Sequence, residues 1–130
     1  MTSFLLDTHV WLWMLDDNPR LRGRIRAIVQ DESSDLHLSA ASLWEISIKM
    51  HQGRLRLAGS TEEHLRDRLR VTRVSAVPID ASDAFAAGAL PHHHADPFDR
   101  MIVTHARALK VPLLTADPRL AAYDVETVMD

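Results

Sequence analysis

Five carboxylates stand out by where they fall: Asp7, Glu45, Asp96, Asp99 and Asp117. Asp7 closes the apolar run "FLLD" and Asp117 closes "LLTAD". Asp96 and Asp99 flank "PF" in "HHHADPFDRM", and Glu45 lies inside the apolar stretch "AASLWEISIK". Brought together, such groups repel. Two unit charges about 5 Å apart cost roughly 3 kcal/mol at an effective dielectric of about 20. Summed over several acids, that rivals the net stability of a small domain, about 5–15 kcal/mol. A cluster therefore needs raised pKa values or a cation. Oxygen donors without thiolates favour Mg²⁺, with Mn²⁺ as the alternative. The chain has no cysteine, which removes disulfides and thiolate sites and fits a reducing cytoplasm.

Each acid also has a purely structural reading. Asp96 fits a helix N-cap, with Pro97 first and Asp99 third in the helix, where a carboxylate meets the positive end of the dipole. Asp117-Pro118 repeats the cap-then-proline pattern. Either Asp7 or Thr8 can cap the helix that follows the first strand. Glu45 stands three residues after Ser42, a capping-box spacing, and four before Lys49, an ion-pair spacing. Taken together the acids point to chemistry, because a parallel sheet can bring them to one edge. A histidine site made of His92, His93 and His94 is disfavoured: adjacent loop side chains diverge, and the helical HExxH spacing is absent. The histidines read as a loop that approaches the pocket without forming a metal site of their own.

The elements that must position these groups are legible in outline. A chain of 130 residues fits one domain spanning 1–130 with a real core. No apolar run approaches the roughly 18 residues a membrane span needs. "FLLDTHVWLWML" carries Asp7 and His9 and lacks a basic leader, so it reads as fold rather than signal peptide. "SFLLD" predicts a buried strand and "THVWLWMLDD" a helix. Asn18-Pro19 suggests the start of a second helix, with Leu21, Ile25, Ile28 and Val29 as its apolar stripe. "DLHLS" predicts a strand. "AASLWEISIKMHQG" fits a helix closed by Gly53, with Ala41, Trp44, Glu45 and Ile48 on one face, although its alternation also allows a strand. Ser60 and Glu63 form a box ahead of "HLRDRLR", and Asp80 and Asp83 another before "AFAAGAL". "VSAVPI" and "VPLLT" predict strands, and "PFDRMIVTHARALK" a helix with Phe98, Ile102, Ala106 and Leu109 inward. "DVETVMD" offers a last strand. Strands alternating with helices predict an α/β fold with a mainly parallel sheet. In such sheets ligands bind beyond the carboxyl ends of the strands, where Asp7 and Asp117 fall.

The formal net charge of −3 argues against nonspecific nucleic-acid binding over the whole surface. Arginines nevertheless cluster at Arg20 to Arg26 and at Arg66 to Arg73. Both clusters suit solvated helix faces, or phosphates. Trp11, Trp13 and Trp44 lie in apolar helices, which favours core or subunit-interface packing over base stacking.

Four blocks, "FLLDTHVWLW", "LSAASLWEISIK", "HHHADPFDRMIVTHA" and "LLTAD", resemble in order the acidic blocks of PIN-domain ribonucleases, and more closely the VapC toxins of bacterial VapBC toxin–antitoxin systems. The resemblance runs from Ser3 to Asp117. It implies a PIN-like α/β fold, a mainly parallel sheet flanked by helices, and places Glu45 on a helix. It implies catalytic roles for Asp7, Glu45, Asp99 and Asp117, with Asp96 as an additional metal ligand and Thr115 and Arg100 in support. It further implies a cytoplasmic Mg²⁺-dependent endoribonuclease, an RNA substrate, a VapB-like antitoxin and a homodimer. Two other readings compete. One is a Mg²⁺-dependent phosphohydrolase acting on small phosphoesters, but its phosphoaspartate form usually has a second aspartate where His9 stands. The other is a non-catalytic RNA- or partner-binding module, which the full set of acids disfavours.

Overall fold

Alternation along the strands sets the layers. Leu5 pairs with Leu113 across two neighbouring strands and Leu6 with Leu114, so successive residues face opposite sides of the sheet. The structure is a computed structural model and describes residues 2–57, 59 and 61–130. Five strands, β1 (Thr2–Leu6), β2 (Ser34–Ser39), β3 (Val74–Val77), β4 (Leu113–Leu114) and β5 (Thr127–Val128), form one sheet in the order β3-β2-β1-β4-β5. Every pairing is parallel.

Helices cover both faces. Leu6 and Leu114 pack with Val10 and Trp11 of α1 (Thr8–Leu15), Ile25 and Val29 of α2 (Gly23–Gln30), Ile46 of α3 (Ala40–His51) and Leu69 of α4 (Glu62–Val71). Leu5 and Leu113 pack with Ile102, Val103 and Ala106 of α6 (Pro97–Leu109), beside Leu90 at the end of α5 (Ala81–Ala89). No helix among the described residues is long and apolar enough to cross a membrane.

The chain runs outward from β1 to β2 and β3, then returns to place β4 on the other side of β1. The gap between the carboxyl ends of β1 and β4 is thus the topological switch point, where open α/β sheets leave a crevice. Asp7 follows β1 there, and Thr115 follows β4.

Several local expectations change. Asn18 does not start α2: its side chain accepts from the Arg20 N–H (2.9 Å) in a local turn, and α2 begins at Gly23. A short polar side chain before proline serves a turn and a cap equally well. The box at Ser42–Glu45 is absent: Ser39 caps α3 through the Ala41 N–H, and the Ser42 hydroxyl instead accepts from Thr8 Oγ1 (2.8 Å). Ser60 lies outside the described residues, and Thr61 caps α4. The Asp80–Asp83 capping box is present as expected. Leu109, expected inward, is exposed at the end of α6. Trp11 is fully buried in the core, whereas Trp44 is 60% exposed, its ring edge-on to Phe98.

Candidate active site

The site is built where strand ends meet helix starts. Asp7 caps α1: its Oδ1 accepts from the Thr8 N–H (2.7 Å) and its Oδ2 from the Thr115 hydroxyl (2.6 Å). Thr115 is fully buried, and its oxygen also accepts from the Asp117 N–H (3.0 Å). One hydroxyl therefore ties the ends of β1 and β4 together. Burial pushes the Asp7 carboxyl upward, the Thr115 bond opposes that rise, and the Asp117 charge adds to it.

Asp96 caps α6, its Oδ1 accepting from the N–H groups of Phe98 (2.8 Å) and Asp99 (3.3 Å), with Pro97 as the first helical residue. Asp99 therefore sits in the first turn and faces the acids. Its carboxyl is pushed up to about 7, first by burial, then by the charges of Asp7, Asp96, Glu45 and Asp117. Carboxylates from separate segments thus act on one group. Glu45 is buried on α3 and pairs with Lys49 (3.0 Å), as the spacing allowed, but in a buried setting. The buried face of α3 is Ala41, Ser42, Glu45 and Ile46, not the face containing Trp44.

Asp117 caps the short 3-10 helix Pro118–Ala122 and receives Arg119 through Nε (3.1 Å) and Nη2 (3.0 Å). The Arg119 guanidinium holds the Asp117 carboxyl below the usual range, chiefly through these hydrogen bonds. Arg119 was not singled out in the sequence; its place two residues past a capping acid was the available signal.

Two further groups take partners that the sequence does not reveal. Among the described residues Arg100 pairs with no carboxylate. It is buried, and its guanidinium donates to the carbonyls of Ala87, Gly88, Leu90, Pro91 and His94. It satisfies the carbonyls that end α5 and fixes the loop leading to α6. The histidines separate, as diverging neighbours must. His92 and His93 are exposed, and His93 packs edge-on against Tyr123. His94 turns inward: its Nε2 lies 2.8 Å from Asp99 Oδ2 and 3.6 Å from Asp117 Oδ2. Among the described residues, the tightest group of possible metal donors is His94, Asp99 and Asp117, with one atom from each within 4.8 Å of the others. Asp7, Asp96 and Glu45 lie outside that tight group but within electrostatic reach of Asp99. Crowded, partly buried carboxylates with a raised carboxyl at their centre fit a hard divalent cation.

A second array resembles a nucleophilic triad: His105 Nδ1 meets Ser39 Oγ (2.9 Å) and its Nε2 meets Asp83 Oδ2 (3.2 Å). Ser39 is fully buried and caps α3, so this array braces α3, α5 and α6 rather than presenting a nucleophile.

An all-parallel sheet with an acidic cluster at its switch point defines a class, and the family model described as "PIN domain" matches residues 4–126; the chain belongs to the PIN-domain family. Within it, the chain is 32% identical over 124 residues to Ribonuclease VapC22 of Mycobacterium tuberculosis, covering 95% of this chain and 93% of that protein. Ribonuclease VapC16 of the same organism is 40% identical over 55 residues, 42% of this chain and 39% of that protein. Among solved structures, VapBC2 from Rickettsia felis bound to a promoter DNA fragment matches with a TM-score of 0.68 at 14% identity, over 98% of each chain. DNA-bound VapBC from Salmonella typhimurium matches with a TM-score of 0.67 at 17% identity, over 98% of each chain. At these identities the structural matches establish the fold.

Proposed function

We propose that residues 1–130 act as one PIN domain with the activity of a VapC-like toxin: a Mg²⁺-dependent endoribonuclease held in check by a VapB-like antitoxin and acting as a homodimer. One observation carries the nuclease reading. Acids from separate segments converge on Asp99, whose carboxyl is pushed up to about 7 first by burial and then by the charges of Asp7, Asp96, Glu45 and Asp117. The 32% identity to a full-length ribonuclease VapC supports the substrate class, and the VapBC complexes among the structural matches support an antitoxin partner.

Asp7, Asp99 and Asp117 would hold the cation, with Glu45 and Asp96 completing its surroundings directly or through water. A bound divalent cation would supply Lewis acidity, activating water for in-line attack and offsetting phosphate charge. Thr115 keeps Asp7 and Asp117 in register through its two hydrogen bonds. Lys49 pairs with the buried Glu45. Arg119, 63% exposed, lies at the lip of the site where a phosphate arrives. Water attack leaves a 5′-phosphate and a 3′-hydroxyl and does not use the ribose 2′-hydroxyl as nucleophile.

The test is cleavage of structured RNA by wild type and Asp7→Asn, with Mg²⁺ and with EDTA, followed by end mapping. Wild type with Mg²⁺ should cut and leave 5′-phosphates; Asp7→Asn and EDTA should each abolish cutting. Undiminished cutting by Asp7→Asn and in EDTA would falsify the mechanism. Turnover of small phosphoesters with RNA left intact would favour the phosphohydrolase instead. Growth arrest on expression, relieved by a co-expressed antitoxin, checks the toxin reading.

A further inference from the structure

We propose that His94 is a substrate-positioning residue of this site, its Nε2–H held ready for a non-bridging oxygen of a phosphodiester lying beside Asp99 and Asp117. The inference rests on the ribonuclease reading and adds to the acids of that reading a residue that is not an acid.

The His94 side chain is only 9% exposed, and its loop is fixed from the backbone side. The His94 carbonyl accepts from Arg100 Nη1 (3.4 Å) and from the Tyr123 hydroxyl (3.3 Å). On the ring, Nδ1 accepts from the Asp96 N–H (3.3 Å). A neutral imidazole whose Nδ1 accepts must carry its hydrogen on Nε2. That hydrogen enters the acidic crevice. Nε2 is 2.8 Å from Asp99 Oδ2, yet off the line a hydrogen bond requires. Buried Nε2 consequently has no hydrogen-bond partner among the described residues. A buried donor left without an acceptor is rare in a folded protein, so this hydrogen is open to an acceptor that enters the crevice.

Two arrivals need separating. A metal ion would require the Nε2 lone pair, with the hydrogen moved to Nδ1 and given to a carbonyl or carboxylate. Here Nδ1 faces another N–H, so that exchange has no acceptor. An anion requires no such change. The anion this class of site receives is a phosphodiester, whose non-bridging oxygens accept strong, charge-assisted hydrogen bonds.

The experiment compares wild type, His94→Ala and His94→Gln, whose amide nitrogen reaches the Nε2 position. It measures kcat/KM on an RNA with one cleavage site, Mn²⁺ affinity by electron paramagnetic resonance without RNA, and melting temperature. His94→Ala should lower kcat/KM by about 10- to 100-fold, the range expected for a hydrogen bond to a charged group. His94→Gln should recover most of that loss, and Mn²⁺ affinity should be the same in all three. A single-diastereomer phosphorothioate gives a second signature. Sulfur accepts hydrogen bonds poorly, so substitution at the contacted oxygen should slow wild type much more than His94→Ala. Loss of Mn²⁺ binding in both variants would make His94 a metal ligand and overturn the proposal. Unchanged kcat/KM in His94→Ala, or no recovery in His94→Gln with Mn²⁺ binding intact, would also overturn it. The backbone anchoring of the loop favours folding of these variants; His94→Leu replaces the alanine variant should that one not fold. An inert wild type would instead refute the ribonuclease reading beneath it.

Discussion

Asp99→Asn should stabilise the metal-free protein at alkaline pH while destroying its activity. The Asp99 carboxyl stands at about 7 instead of its ordinary 3.8, first because it is buried and then because Asp7, Asp96, Glu45 and Asp117 surround it. Between those two values the folded chain holds a proton that the unfolded chain has released. Stability therefore falls as pH rises through that window and levels off above it. Moving a carboxyl from 3.8 to about 7 corresponds to about 4 kcal/mol at ~1.36 kcal/mol per pH unit. Solvent reaching the open side of the crevice screens part of this, leaving about 2 kcal/mol. Losing a carboxylate from the first turn of α6 works the other way by about 0.3–1 kcal/mol, which leaves the sign unchanged.

Unfolding in EDTA, followed from pH 4 to pH 8, measures the effect. At pH 8 the variant should melt several degrees above wild type, at roughly 4 °C per kcal/mol for a domain of this size. The gap should close toward pH 4, where wild-type Asp99 is protonated in the folded state. Mg²⁺ should then raise the melting temperature of wild type and not of the variant, because a ligand stabilises only the state that binds it. A variant no more stable than wild type at pH 8, or a gap independent of pH, would mean that the acids do not crowd Asp99. The case for a cation there would then fail.

Two further substitutions probe the scaffold. Arg100→Met leaves the buried carbonyls of Ala87 and Leu90 without this donor and should cost about 2–6 kcal/mol, at about 1–3 kcal/mol for each; chemical denaturation gives the value, and faster amide exchange over residues 90–96 should accompany it. Arg100→Lys should recover little, since an ammonium cannot reproduce the guanidinium fork. Thr115→Val removes the donor to Asp7 and the acceptor for the Asp117 N–H, costing about 1–3 kcal/mol. Its hydroxyl lowers the Asp7 carboxyl, so the valine should raise that carboxyl further and move the acid limb of the pH–rate profile upward, while Thr115→Ser preserves it.

Legibility in the sequence divides by the range of the cause. Asp7 and Asp117 could be placed because each ends an apolar run and a parallel sheet sends those ends to one edge. Glu45 could be placed on a helix by resemblance and on an inward face with Ala41 by spacing, but Trp44 and Ile48, expected beside it, are not among the buried residues of that face. The buried face also carries Ser42, which accepts from Thr8 across a separation of 34 residues. Arg100 was unreadable for the same reason: its acceptors end a different helix. His94 looked like its neighbours in the sequence, and only the loop held by Arg100 and Tyr123 distinguishes the ring that turns in.

The capping and the proposed catalytic readings of the acids are compatible. Asp7, Asp96 and Asp117 each cap a helix or helical turn, and those starts meet at the switch point between β1 and β4. A carboxylate that caps there is already beside the crevice, with N–H groups holding one oxygen while the other meets a neighbouring side chain, Thr115 for Asp7 and Arg119 for Asp117. Asp99 gains its aim from the same arrangement, one turn into a helix whose start Asp96 and Pro97 fix. Local capping chemistry thus supplies the rigidity that a repelling cluster needs, and the repulsion in turn would give the proposed site its affinity for a cation.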